Sequence, residues 1–476
     1  MGFVTPQLAP ALAEIVLTIG ICGVLLADLF IAPGRKGLTL TLTLAVLVAT
    51  AWAVAAAGAP SLTFSGSYIA DELGRVLKMF VLLLVGLVFI YSHAYLRDRS
   101  LLKGEYYLLG LFATLGMFVM ISANSFIVMY LGLELMSLAL YAMTAFNRES
   151  PVAAEAAMKY FVLGAIASGL LLYGMSIVYG VTGNLQLDSI AAVLAGQDAP
   201  SPAVLLATGF ILAGIAFKFG AVPFHNWVPD VYQGAPTSVS LFIATAPKLA
   251  AFAMLARLLH TALGPAAAAW EPMLLTLAVL SLALGNVAAI AQTNIKRMLA
   301  YSTIGHVGFI FLGFGAGTAE GLQSALFYAL IYAVMAAAAF GVVILLSRDG
   351  FEAEELDDFR GLNERSPWFA AMMLLVMVSM IGIPPFAGFF AKLKVLTALV
   401  NADLTGLAVI AVLFSVVGAY YYLRVIKLMY FDKATGFEPL AAGWNMQLLL
   451  SLNAIGVLAL GVFANPLLAL CATVLN

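Results

Sequence analysis

Charge is what this sequence has least of. Only 10% of its 476 residues are Asp, Glu, Lys or Arg, whereas a typical soluble domain carries about 25%. Hydrophobic residues make up 63% of the chain, more than a water-soluble fold can bury. The alternation of apolar and polar residues that marks a transmembrane β-barrel is also absent. We therefore expect the chain to cross a bilayer as a series of α-helices.

Residues that bind metals and nucleotides are equally scarce. The two cysteines, Cys22 and Cys471, lie in apolar segments at opposite ends of the chain, and no CxxC pattern is present. Neither a zinc site nor an iron–sulfur cluster is therefore expected in this chain. No GxxxxGK(S/T) or GxGxxG segment follows a strand-like stretch, which argues against a nucleotide site. With a net charge of −2, the chain has no basic surface typical of nucleic-acid binding.

Long apolar runs recur from Leu8 to the C-terminus. A helix needs about 20 apolar residues to cross a bilayer, and charge clusters, Gly and Pro divide the chain into about fourteen such segments. No Lys or Arg precedes the first run, so it lacks the charged start of a cleaved signal peptide. The predicted spans are residues 8–31, 38–57, 74–95, 105–122, 125–146, 156–180, 203–221, 238–260, 272–291, 297–315, 320–346, 367–400, 405–427 and 446–470.

Lys and Arg concentrate in alternate loops. They occur in loops after odd-numbered spans, for example at Arg97, Arg148 and Lys296, whereas the opposite loops 183–202 and 315–321 contain none. By the positive-inside rule the basic loops lie in the cytoplasm. Both termini are then expected on the other side, which would be the periplasm for a protein of the bacterial inner membrane.

Four of the charged residues inside predicted spans stand out: Glu134, Lys218, Lys248 and Lys392. A charge at mid-bilayer costs about 3 kcal/mol or more, so such residues usually mark ion pathways. The competing explanations are an ion pair between helices and a lysine that reaches to the headgroups. Glu134 and Lys248 are about ten residues from either end of their spans, ~15 Å at helical rise, which is too far for that reach.

Proton relay is the chemistry that such buried charges suit. Burial disfavours the charged forms of lysine and glutamate, and a neighbouring opposite charge restores them. A Glu–Lys pair whose separation or hydration changes can therefore load and unload a proton. Hydroxyls, imidazoles and water would carry protons across the gaps, although helix packing equally explains any single tyrosine or hydroxyl. The side chains available for this role are His225, His306, Ser302, Thr303, Tyr328 and Tyr332.

Two segments look interrupted within the membrane: GAVPFHNW shortly after Lys218, and GIPPFAGFF shortly before Lys392. Proline breaks the helical ladder and frees carbonyl groups, and broken helices in corresponding halves of a chain point to an ion site. The second break comes five spans after the first, and an odd offset reverses the orientation in the membrane. We therefore predict an all-α fold with two inverted five-helix repeats. The predicted divisions are 1–103 (N-terminal helices), 104–262 (first repeat), 270–430 (second repeat) and 440–476 (C-terminal helix).

Five motifs in order carry a family resemblance: LELMSLALY around Glu134, PFHNWVPDVYQGAP after Lys218, APKLAAF around Lys248 with Arg257 beyond it, AYSTIGHVGF, and GIPPFAGFFAKLKV. With them, nearly the whole chain resembles the antiporter-like membrane subunits of proton-pumping NADH:quinone oxidoreductase, respiratory complex I. Lysine at position 392, where a paralogous type carries glutamate, and the continuation DVYQGAPT distinguish it among these subunits.

The resemblance implies roles for individual residues. Glu134 would pair with Lys218, Lys248 would link two half-channels centrally, and Lys392 would gate proton exit. Tyrosines occupy the helix on which related subunits carry a relay histidine, so His306 on the preceding span is the better candidate.

The resemblance also implies that the chain is one subunit of an enzyme and carries no cofactor itself. NADH, FMN, iron–sulfur clusters and quinone would belong to partner subunits. The expected neighbours are another antiporter-like subunit of the M type, small membrane subunits and the lipid bilayer.

Other functions fit the same features less well. A subunit of a multisubunit cation/proton antiporter or of a membrane-bound hydrogenase would share the repeat. A solute transporter would need polar or aromatic substrate contacts at the breaks, where Phe, Gly and Pro predominate. The four buried charges argue against a purely structural scaffold. The acidic segment 347–367 is expected to be a solvated cytoplasmic loop or, alternatively, a docking patch for a peripheral subunit.

Overall fold

The computed structural model describes residues 6–347, 350–434 and 443–475, and these residues form a bundle of helices. Backbone groups cannot be satisfied by lipid, so each crossing is helical. Thirteen helical segments of the described chain are long and apolar enough to cross a membrane, and the predicted span 367–400 is a pair of shorter helices. The prediction of an all-α, polytopic membrane protein is confirmed.

The N-terminal part consists of α1 Leu12–Asp28, α2 Gly37–Ala55, the strands β1 Ser61–Thr63 and β2 Tyr68–Ala70, and α3 Glu72–Asp98. Next come α4 Gly104–Ile121, α5 Phe126–Thr144, α6 Pro151–Thr182, α7 Leu187–Ala195, α8 Pro202–Phe219, α9 Trp227–Gly234, α10 Thr237–Ala244 and α11 Ala246–Leu255, which continues as a π-helix over Ala256–Ala262. The remaining helices are α12 Ala267–Ile290, α13 Ile295–Gly315, α14 Ala319–Leu346, α15 Leu362–Arg365, α16 Pro367–Ile381, α17 Ala387–Asn401, α18 Thr405–Phe431, α19 Trp444–Val462 and α20 Ala464–Leu475.

Local chemistry explains where the predicted spans are subdivided. Span 238–260 bends at Thr245 because Pro247, in the first turn of α11, has no N–H to continue the ladder of α10. Span 446–470 divides into α19 and α20, and Pro466 lies in the first turn of α20. The antiparallel hairpin β1–β2, which pairs Leu62 with Ile69, was not predicted.

Burial separates inner from outer helices. The apolar windows of α10–α11, α13 and α14 are almost entirely buried, whereas those of α18 and α19 are mostly half-buried or exposed. The exposed side chains on outer helices are large and apolar, such as Trp52, Val416 and Leu452. A surface of this kind suits lipid or an apolar partner. Polar chemistry on the inner helices is thereby shielded from the bilayer.

Two pairs of helices pack unusually closely, α4 with α5 and α12 with α13. Glycines allow the approach: a Cβ on Gly116 would lie 2.4 Å from the backbone N of Met136, and a Cβ on Gly285 would lie 2.6 Å from that of Gly305. The two pairs are five spans apart, as expected for corresponding parts of two repeats. The exact division of the chain into repeats stays a prediction.

The close crossing of α4 and α5 can be tested with Gly116→Ala. Its methyl group would meet backbone, which cannot rotate away, so we expect a loss of about 1–3 kcal/mol from overpacking. The thermal unfolding midpoint of the detergent-solubilised protein should fall. Gly169→Ala on α6 is the matched control because nothing lies within 4 Å of its Cβ position. Equal midpoints for the two variants would contradict the described crossing.

Candidate proton-relay site

The first broken helix ends at Phe219, where Gly220 adopts φ +77° and turns the chain out of α8. Such a left-handed residue favours glycine. The break leaves the last carbonyls of α8 without helical partners. Nζ of Lys248 donates to the carbonyl oxygen of Phe219 at 2.8 Å and to that of Lys218 at 3.3 Å. Lys248 is only 2% exposed, so these carbonyls are satisfied in the protein interior.

The second broken helix has the same construction. α16 ends at Ile381, and Gly382 adopts φ +92° before Pro384 and Pro385. Nζ of Lys392 donates to the carbonyl oxygens of Met380 at 3.1 Å and Ile381 at 2.8 Å, and to Oγ of Ser415 at 2.7 Å. These three acceptors match the three donors of an ammonium group.

Lys218 has a different environment, in the last turn of α8. Its Nζ donates to Oγ of Ser137 at 2.7 Å and lies 6.0 Å from the ring centroid of Tyr141. Within the described chain, Ser137 is the one hydrogen-bond acceptor for Nζ of Lys218. Two of the three ammonium donors are therefore available to another group.

The predicted pair of Glu134 and Lys218 is not in direct contact. Glu134 lies one helical turn before Ser137 on α5, and its buried Oε1 has no hydrogen-bond partner in the described chain. The Glu134 charge nevertheless acts on Lys218 electrostatically. A buried, unsatisfied carboxylate oxygen beside a lysine with spare donors is an arrangement that water or a small side-chain movement would complete.

A cluster around His306 occupies the inner helices between the two breaks. Nδ1 of His306 is 2.7 Å from the hydroxyl of Tyr328, and Nε2 is 3.1 Å from that of Tyr422. The Tyr422 hydroxyl also bonds Ser302. A small cavity lined by His306, Lys392 and Tyr422 joins this cluster to the second break. Tyr332 donates to Oγ1 of Thr303 at 2.7 Å, so all four predicted hydroxyl residues lie in one region.

Comparison with known proteins shows the family to which this chain belongs. Residues 123–418 match the family described as NADH:quinone oxidoreductase/Mrp antiporter, TM. NADH-quinone oxidoreductase subunit N of Thioalkalivibrio sulfidiphilus is 55% identical over 99% of this chain and 98% of its own length. The chain belongs to this antiporter family.

Two solved structures share the fold of this chain. A chain of respiratory complex I from Thermus thermophilus, solved with bound Aureothin, has a TM-score of 0.83 and 33% identity and covers 97% of this chain and 99% of its own. A chain of the Mrp complex from Dietzia sp. has a TM-score of 0.83 at 21% identity and covers 98% and 97% respectively. The second likeness shows the shared fold alone.

His225 lies apart from the other predicted residues of this antiporter-family chain. It belongs to the connection between α8 and α9, and its buried Nδ1 has no hydrogen-bond partner in the described chain. No described hydrogen bond joins its side chain to Lys218, Lys248 or Lys392. Its assignment to the relay stays a prediction that the geometry does not favour.

A buried cluster in the N-terminal helices was missed. Nζ of Lys78 contacts Oε1 of Glu14 at 2.5 Å and the hydroxyl of Tyr68 at 3.1 Å, and that hydroxyl donates to the other Glu14 oxygen at 2.8 Å. Glu14 and Lys78 lie a few residues after the starts of spans 8–31 and 74–95. Both spans begin on the same predicted side of the membrane. Their equal depth was the signal that could have paired them.

The surroundings of two neighbouring lysines on α17 generate a prediction. Positions two apart on a helix point about 200° away from each other, and Nζ of Lys392 alone of the two contacts the end of α16. We expect Lys392→Ala to slow coupled turnover about tenfold or more, equivalent to ~1.4 kcal/mol of barrier. Lys394→Ala should keep most of it. The measurement is quinone reduction and proton uptake in membranes at matched assembly. A larger defect in Lys394→Ala would contradict the placement of the relay.

Proposed function

We propose that this chain is subunit N of a proton-translocating NADH:quinone oxidoreductase, in which it carries protons across the membrane. Support comes from the near full-length identity of 55% to a subunit of that name. Lysine at position 392 agrees with the same type of subunit. The chain would act as part of an enzyme complex and would perform no redox chemistry itself. NADH, FMN, iron–sulfur clusters and quinone would be bound by partner subunits.

The observation that supports proton transport most strongly is the pair of lysine-capped helix breaks. Each break ends a helix inside the membrane, and at each an ammonium group donates to the last two carbonyls. The negative end of a helix dipole stabilises a cation, which offsets part of the cost that burial imposes on the protonated lysine. A proton that leaves such a lysine removes its cation from the helix end, and protonation restores it.

Glu134 and Lys218 would form the loading step. In the described conformation Lys218 donates to Ser137, while Oε1 of Glu134 has no hydrogen-bond partner in the described chain. Approach of the carboxylate would stabilise the protonated lysine, and its withdrawal would favour proton release. Lys248 donates to the backbone of Lys218 and would link this step to the centre of the chain. The hydroxyl and imidazole groups around His306 would then carry the proton to Lys392 at the exit.

A second function is supported by the shared fold with a chain of the Mrp complex. A subunit of a multisubunit cation/proton antiporter, or of a membrane-bound hydrogenase, would use the same breaks. The proteins that co-purify with the chain distinguish the alternatives. Flavin and iron–sulfur subunits of an NADH-oxidising complex would support our proposal, and cation/proton antiporter partners would overturn it.

Removing either member of the loading step tests this function. We expect Glu134→Gln and Lys218→Ala each to slow proton-coupled quinone reduction about tenfold, or ~1.4 kcal/mol, without preventing assembly. Glu134→Gln strips the opposite charge that stabilises the protonated lysine. Glu149→Gln, in the exposed connection after α5, is the control and should turn over normally. Normal turnover in both test variants would mean that the pair is structural.

We also propose that the basic loops face the cytoplasm and that the protein resides in a bacterial inner membrane. Single cysteines on a background without Cys22 and Cys471 test the orientation. A membrane-impermeant maleimide added from the periplasmic side should label Asp198→Cys but not Asp357→Cys, because these exposed positions lie on predicted opposite sides. Reversed labelling would contradict the orientation.

A further inference from the structure

A polar cavity of about 520 Å³ lies where the segment 350–354 covers the bundle. Its other walls come from the end of α3, the start of α6, the turn between α9 and α10, and the start of α13. One water occupies about 30 Å³ of liquid, so the cavity has room for a cluster of waters. It lies at the end of the helices that carries the basic loops.

The covering segment folds back onto the bundle. The backbone N–H of Ile295 donates to the carbonyl of Glu354 at 2.6 Å, and that of Leu356 donates to the carbonyl of Thr293 at 2.8 Å. These bonds join the segment to the connection before α13. Two of its carboxylates, on Glu352 and Glu354, line the cavity. The acidic loop is therefore only partly the solvated surface that was expected.

Glu354 forms an ion pair that bridges water-accessible and buried space. Its Oε1 lies 2.6 Å from Nζ of Lys296. The side chain of Lys296 is only 2% exposed, whereas that of Glu354 is 32% exposed. The same Nζ donates to the carbonyl of Ala235 at 3.1 Å, in the turn after α9. The carboxylate is thus accessible from the cavity, and its partner lies against the inner helices.

Glu352 is fixed more firmly. It accepts from the Tyr95 hydroxyl at 2.6 Å and from Nε of Arg99 at 2.5 Å. Among described residues, the titratable groups that line the cavity are Tyr95 and Asp98 from α3, Arg99 directly after it, Lys296 from α13, and Glu352 and Glu354 from the covering segment. The walls from α6 and the α9–α10 turn contribute none.

Tyr232 is a buried tyrosine next to one wall of this cavity. It lies on α9 within one turn of Gly234 and Ala235, which line the cavity. It is fully buried, and its hydroxyl has no hydrogen-bond partner in the described chain. α9 packs against α13, which carries Thr303 and His306, and Tyr332 is near enough to Tyr232 to act on it electrostatically. The Tyr332 ring in turn lies 5.1 Å from His306, centroid to centroid.

We propose that the cavity is the proton inlet of the His306–Lys392 relay, with Glu354 and Lys296 as its loading pair and Tyr232 as the hydroxyl that passes protons inward. A proton from bulk water binds the Glu354 carboxylate and releases it from Lys296. Cavity water then takes the proton toward Tyr232, and the carboxylate pairs with Lys296 again. Unpartnered buried hydroxyls commonly bind ordered water, which would complete the route. The inlet rests on the proposed function and deepens it.

The loading pair is tested by the pH dependence of turnover in membranes that contain the whole complex. Glu354→Gln should be several-fold slower than wild type at mildly alkaline pH, where protons are scarce, and near wild type at mildly acidic pH. Glu354→Gln combined with Lys296→Met leaves no unpaired buried charge and should show the same pH-dependent defect. Asp357→Asn is the control, because its side chain on the same loop is exposed and paired with Arg360. Wild-type rates across pH in the double variant would reduce the pair to a structural role and overturn the inlet.

Tyr232→Phe tests the inner step without changing the shape of the ring. Loss of the hydroxyl should slow turnover several-fold at every pH, whereas Tyr91→Phe, at another buried tyrosine on α3, should leave it unchanged. Normal turnover in Tyr232→Phe would contradict the route.

Lys392→Ala in the same preparation separates a failure of the inlet from a failure of the proposed function. If Lys392→Ala is impaired while the inlet variants behave as wild type, only the inlet is wrong; if Lys392→Ala turns over normally, the proposed function itself fails.

Discussion

Carbonyl groups freed at a helix end inside a membrane cannot bind lipid and must find donors in the protein. In this chain lysine side chains supply those donors, Lys248 at the end of α8 and Lys392 at the end of α16. The requirement links backbone structure to charge. Each broken helix is stabilised by an ammonium group, and each ammonium group is stabilised by the negative end of a helix. Each of these lysines therefore stabilises the fold and, in the proposed function, also binds and releases the proton.

The arrangement works only because the surrounding helices keep lipid away. α11, α13 and α14 carry Lys248, His306 and Tyr328 in the buried centre, while outer helices such as α18 and α19 present large apolar side chains outward. Electrostatic interactions are stronger in such an interior than in water. The hydrogen-bonded cluster around His306 therefore lies where interactions between charged and polar groups are stronger than they would be in water.

Much of the architecture follows from composition and local pattern. Apolar runs long enough to cross a bilayer predict helices, because a helix satisfies its backbone hydrogen bonds within the same segment when lipid cannot. Gly220, Pro223, Gly382 and Pro385 predict the breaks because their backbones do not continue a helix. The hairpin β1–β2 escaped prediction because three-residue strands have too short a pattern to detect. The bend at Thr245 escaped because a proline in a long apolar run shows where a helix is weakened but not how far it turns.

Glu134, Lys218, Lys248 and Lys392 could be found from sequence because an isolated charge in a predicted span is costly enough to require an explanation. The groups that these and the other buried polar residues contact could not be found from sequence. Ser137 beside Lys218, Tyr422 beside His306, and the pairs Lys78–Glu14 and Lys296–Glu354 join residues far apart in the chain. The cost of burying a charge depends on one residue and its own helix, so sequence reveals it. The compensation depends on which helices pack together, and only the tertiary structure determines that.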